Sequence, residues 1–136
     1  MTRAATEKLI ARYYDAFNAG DIDGMIDCLA PTFVHDVNQG GRRKGKTQFR
    51  EFCEHMSRCY KETLKDVVVM ASKDGDRAAA EFVVNGKYLA TDEGLPPASG
   101  QKYKLPGGAF FTVKDGKIAR VSTYYNMKDW MAQVAG

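Results

Sequence analysis

The stretch Arg12–Met25, RYYDAFNAGDIDGM, ends one helix and starts another within a few residues. Upstream of Gly20 the larger apolar residues fall at Leu9, Ile10, Tyr13, Tyr14 and Phe17, a helical spacing over Thr6–Ala19, and Gly20 supplies the left-handed stop. Asp21 is placed to cap a second, shorter helix with Ile22, Met25, Ile26 and Leu29 on one face, which must end before Pro31. Thr32–Val37 reads as a short strand. After a glycine-rich turn, Phe49, Phe52, Cys53, Met56 and Tyr60 recur at helical spacing behind Thr47 as a cap, which gives a third helix.

Beyond residue 62 the texture changes to apolar and β-branched runs separated by turn signals: Val67–Met70, Asp74-Gly75, Ala78–Leu89, Phe110–Val113, Asp115-Gly116 and Ile118–Tyr125. These predict antiparallel hairpins, with Thr91–Gly100 as a longer exposed loop. Pro106-Gly107-Gly108 is expected to bulge or kink its strand, and Asn126, with Asp129 three residues on, to cap a terminal helix carrying Trp130, Met131 and Val134. Helices at the front and strands at the back predict one α+β domain over residues 1–136, a curved antiparallel sheet wrapped around three helices with a short C-terminal helix. Such a cone encloses a pocket between helices and sheet.

Composition narrows the function. Of 136 residues 44% are hydrophobic, and no run approaches the roughly 18 apolar residues of a membrane span. Met1–Leu9 lacks the apolar centre of a secretory signal, so a cytoplasmic protein is expected. A net charge of +3 and a pI near 8.7 do not mark a nucleic-acid binder. Arg42, Arg43, Lys44 and Lys46, between Gly40-Gly41 and beside Gly45, read as a solvated loop. Cys28, Cys53 and Cys59 form no C-x-x-C pair, and among the candidate ligands only His55 and Cys59 lie at i, i+4, so neither disulfides nor a metal is expected. No serine sits in a nucleophile elbow and no glycine run has phosphate-loop spacing, so no cofactor is expected either.

Asp36 is the candidate for chemistry, because alternation places it with Val34 and Asn38 on one face of its strand and His35 on the other. Facing an apolar cavity, its carboxylate would have a raised pKa, suited to removing a proton from carbon beside a carbonyl; alternatively Asp36 only starts the turn to Gly41. Tyr13 and Tyr14 diverge by about 100° on the first helix, so one of them points squarely inward, where its phenol could donate to an enolate oxygen. Tyr14, Phe17, Phe33, Val34, Asn38, Phe52, Met56, Phe82, Phe110, Tyr124 and Trp130 are the expected pocket lining. Glu81, Asn85, Tyr88 and Asn126 line it too or face solvent or a second subunit.

Arg12–Met25, Asp36 and Gly45–Cys53 (GKTQFREFC) together resemble the nuclear transport factor 2-like superfamily, in its ketosteroid isomerase-related and SnoaL-like branch, over the whole chain. The resemblance implies Asp36 as general base and Tyr13 as oxyanion donor, with Ala109 where the isomerases carry a second, protonated acid. It implies a cofactor-independent isomerase or cyclase acting on a small hydrophobic carbonyl compound, steroid- or polyketide-like, and a homodimer formed through the outer sheet face. A non-catalytic binding or assembly module of the same fold is the alternative.

Overall fold

The computed structural model describes residues 1–135. Thr2 caps α1 (Arg3–Ala19), its hydroxyl accepting from the Ala5 amide at 3.1 Å, and Gly20 closes the helix at φ 70°. Asp21 caps α2 (Ile22–Asp27) by accepting from the Gly24 amide at 2.9 Å. The chain continues as β1 (Leu29–Val37), β2 (Arg42–Lys44), α3 (Gly45–Cys59), β3 (Tyr60–Ala71), β4 (Arg77–Tyr88), β5 (Lys102–Lys114), β6 (Lys117–Tyr125) and α4 (Met127–Val134). Asn126 caps α4 through the Asp129 amide. Helix α3 starts two residues before the expected Thr47 cap: Lys44 is the N-cap, and Gln48 reaches back to accept from its amide at 2.7 Å.

The strands form one curved, unclosed sheet in the order β2-β1-β6-β5-β4-β3. It is mixed rather than purely antiparallel, because β1 and β6 run parallel, joined by the long crossover through α3 and the β3–β5 meander. The Arg42–Lys44 segment is not a free loop: it zips antiparallel onto β1, with Val34 opposite Lys44 and Asp36 opposite Arg42. Nor does Pro106-Gly107-Gly108 break β5, whose register with β4 runs unshifted through Val83 opposite Pro106 and Glu81 opposite Gly108. Pairing with β6 reaches only Gly107, and α4 takes over the vacated flank. There Gln133 accepts from the Lys104 amide at 2.9 Å and donates to its carbonyl at 2.8 Å. Proline is tolerated at a strand position with no neighbour on one side.

Alternation fixes what faces the helices. Phe33 and His35 of β1, Val121 of β6, Tyr103, Leu105, Ala109 and Phe111 of β5, Phe82, Val84 and Tyr88 of β4, and Tyr60 and Leu64 of β3 are all buried. Helix α1 lays Tyr14 against Phe82 and Phe111, and Asn18 pins the helix to β3 by donating to the Leu64 carbonyl at 3.0 Å and accepting from its amide at 2.8 Å. That contact precedes the break in β3 pairing between Lys65 and Val68, where Asp66 has φ 54°.

Two glycines let rings lie flat across the concave face. A Cβ on Gly107 would stand 2.8 Å from Cε1 of Phe82, and one on Gly86 would stand 2.2 Å from Cζ of Tyr103. Gly86 is the cross-strand partner of both Glu62 and Tyr103. Tyr103 therefore crosses β4 and its hydroxyl donates to Oε2 of Glu62 at 2.5 Å.

Candidate functional site

The structure turns the two neighbours at the end of β1 opposite to expectation. His35 is the inward residue, 4% exposed, with its ring 4.8 Å from that of Phe52 and 5.2 Å from that of Phe49. Asp36 lies on the convex side, where Arg42 donates to both carboxylate oxygens at 2.7 and 2.8 Å. This fork holds the Asp36 carboxyl below its usual range rather than above it. The physical reason is the phase of the strand: Phe33, larger than Val34, takes the core position against Phe49, and everything downstream alternates from there.

The same alternation relocates two expected wall residues. Phe110 and Tyr124 lie on the convex face, 48% and 46% exposed, with their rings edge-to-face 5.5 Å apart. Val34 is half-buried on that side between Lys44 and Arg120. Asn38 follows β1, its amide donating to the Thr123 carbonyl at 3.1 Å. On the concave side are Tyr13, Tyr14 and Phe82, all buried, with Phe17, Phe52 and Met56 half-buried around them. Trp130 is buried against Tyr60, Tyr88 and Tyr103.

Tyr13 meets Tyr14 and Phe111 edge-on, with Cys28 and Cys53 near its phenol. Burial raises the pKa of both tyrosines, Tyr13 far above its usual value, so each is a proton donor across the physiological range. Burial also pushes Cys53 up to about 12, which leaves an unreactive thiol. Burial, with Arg43 beside it, lowers His35 to about 4, and its Nδ1 has no hydrogen-bond partner among the described residues.

The interior acid is Glu62. It shares a strand face with buried Tyr60 and Leu64, two residues to either side. Protein surrounds most of its carboxyl, and the residue as a whole is half-buried. Burial raises its pKa, and the Tyr103 hydrogen bond only partly offsets this. The Tyr125 phenol, half-buried, lies in the field of both Glu62 and Asp92, and burial raises its pKa. Counting Tyr60 as the end of a helix leaves residues 61–66 outside any expected element. The available signal is the alternation Tyr60, Glu62, Leu64, visible once the strand is started at Tyr60.

Two open depressions lie outside this interior: one of about 560 Å³ on the convex side, with Lys61, Lys87, Lys102 and Lys104 around it, and one of about 370 Å³ beside Arg43, Phe52 and His55. Among the described residues no helix is long and apolar enough to cross a membrane.

The pattern of the SnoaL-like domain family matches residues 10–121. No curated protein matches significantly. Solved structures do. A candidate polyketide cyclase from Silicibacter sp. TM1040 is 57% identical, with a TM-score of 0.96 over 100% of this chain and 99% of its own. One from Pseudomonas putida KT2440 is 55% identical, with a TM-score of 0.94 over 98% of each chain. An epoxide hydrolase-like structure from Mycobacterium tuberculosis has a TM-score of 0.78 over 98% of this chain and 91% of its own at 14% identity, a likeness of fold alone.

Proposed function

Because the chain belongs to the SnoaL-like domain family, we propose that it is an isomerase or cyclase that moves a proton on a small hydrophobic carbonyl compound, steroid- or polyketide-like. The names of its near-identical-fold relatives support the cyclase direction. The observation that carries the reading is Glu62, an enclosed carboxyl on the concave face with a raised pKa and Tyr103 on one oxygen. As carboxylate, Glu62 takes a proton from the carbon beside the carbonyl. The protonated Glu62 then returns its proton either to another carbon of a conjugated enolate, completing an isomerisation, or to the alkoxide formed when the enolate attacks a second carbonyl and closes a ring. Tyr13 keeps the donor role that the sequence suggests: its phenol stays protonated and adds no charge to an apolar site. The base role expected of Asp36 passes to Glu62, since Asp36 is engaged by Arg42 on the other face. Apolar walls from Phe17, Phe52, Met56 and Phe82 suit a ring-bearing ligand.

The reading includes a homodimer through the convex face, supported by exposed Val68 and Met70 on β3, Phe110 on β5 and Tyr124 on β6. One experiment addresses both parts: native mass spectrometry of the protein purified from its own cells, then extraction of the bound compound and its incubation with enzyme in D2O. The expected result is a dimer that retains a cyclic carbonyl compound and exchanges its α-hydrogens for deuterium. A retained compound that never exchanges would make the chain a binding module, and a monomer mass would remove the dimer.

A further inference from the structure

We propose that His55, Cys59 and Asp92 form a binding site for one divalent zinc-type cation at the junction of α3 with the 90–100 loop. His55 and Cys59 are one helical turn apart on α3, and Asp92 arrives from the loop after β4. One imidazole nitrogen is approached by both partners: Nε2 of His55 lies 2.8 Å from Oδ1 of Asp92 and 3.9 Å from Sγ of Cys59. All three candidate donor atoms fall within 4.8 Å of one another. A single Nε2 proton serves the carboxylate and leaves the thiol without an acceptor there, whereas a cation at the centre satisfies all three.

The distances suit the ion. Tetrahedral zinc with ligands at about 2.0–2.3 Å sets neighbouring donors roughly 3.3–3.8 Å apart, so the two pairs at 2.8 and 3.9 Å need shifts of about half an ångström or less, and the Cys59–Asp92 pair, within 4.8 Å, needs to close by up to roughly 1 Å. Nitrogen, thiolate and carboxylate donors together favour a borderline-soft cation over magnesium or calcium.

The surroundings hold the donors in place without the metal. Tyr60 donates to Oδ2 of Asp92 at 2.8 Å, which leaves Oδ1 turned to the site. The Asp92 amide donates to the Tyr88 hydroxyl at 3.0 Å, and that hydroxyl donates to the Pro96 carbonyl at 2.7 Å. The Cys59 carbonyl accepts from the amides of Leu89 and Ala90. Outer partners that orient a ligand in this way are a regular part of metal sites. Cys59 is buried, while the His55 side chain is 43% exposed, which opens the fourth position to water. On binding, the thiol loses its proton to solvent, the Nε2 proton is replaced by one on Nδ1, and one proton is released per cation. No electron is transferred.

The test is titration of the reduced, metal-free protein with Co2+ as a spectroscopic probe, then displacement by Zn2+. The expected result is one cation per chain, a thiolate-to-cobalt charge-transfer band and intense four-coordinate visible bands. Cys59→Ser should abolish the charge-transfer band and Cys53→Ser should keep it. Tyr60→Phe should weaken binding by about 10–100-fold, and His55→Gln, at a half-exposed side chain, by more. The site is refuted if no thiolate band appears, if the band survives in Cys59→Ser, or if His55→Gln binds as tightly as the native chain.

Discussion

Glu62→Gln is expected to lower turnover by about 10²–10⁴-fold on the compound the protein retains, the range for loss of a positioned proton-transfer group. Glutamine has the same shape and still offers an oxygen to the Tyr103 hydroxyl, so the seat over Gly86 survives and only the proton acceptor is lost. Thermal denaturation should therefore show a folded variant. The native pH–rate profile should rise through a single step above the usual glutamate range of about 4.3, because burial disfavours the carboxylate. Tyr103→Phe should move that step further up, since the phenol stabilises the charged form. Asp36→Asn is the comparison: turnover falling there while Glu62→Gln stays active would return the base role to the convex face.

The second expected result concerns stability. His35 is held neutral by burial, with its pKa lowered to about 4, against about 6.5 in an unfolded chain. Between those values the unfolded chain binds the proton and the native one does not, so stability falls as pH drops from about 6.5 towards 4. The full difference is about 3 kcal/mol, reached below pH 4 and half expressed near pH 5. His35→Phe, which fits the ring cluster of Phe33, Phe49 and Phe52 and removes the unpaired Nδ1, should not lose it. Urea unfolding of both proteins from pH 7 to pH 4 checks this. The variant's advantage should grow by about that amount, and an advantage independent of pH would show that His35 titrates normally.

How much of this was legible in the sequence differs from element to element. Caps and stops act through local hydrogen bonds and φ, so Gly20, Asp21, Asn126 and the Asp115-Gly116 turn, with φ 51° and 76°, could be read directly. Helix α3 was clear in its body and wrong at both ends, since Thr47 is inside it and Tyr60 already belongs to β3. The parallel β1–β6 pair and the Arg42–Lys44 strand depend on contacts remote in sequence, which no window of neighbours contains.

The site shows the same division. Alternation along β1 was correct and its phase was not, because the burial of Phe33 rather than Val34 is decided by packing against Phe49 on α3. That single choice exchanged His35 for Asp36. Phe110 and Tyr124 were misplaced for the corresponding reason on β5 and β6, where Ala109 and Phe111 take the concave side. Glu62 was missed because an acid between Lys61 and Thr63 has no local mark of burial. A glycine on the neighbouring strand, and a tyrosine one strand further, make the hydrogen-bonded part of its environment.

The most direct measurement is carbon-13 NMR titration of the side-chain carboxyls in protein labelled at glutamate, with Glu62→Gln identifying the resonance. Glu62 should titrate above the usual glutamate range of about 4.3, and higher again in Tyr103→Phe. If Glu62 titrates at the usual glutamate value of about 4.3, unmoved by Tyr103→Phe, the enclosed proton-transfer acid does not exist and the proposed chemistry fails with it.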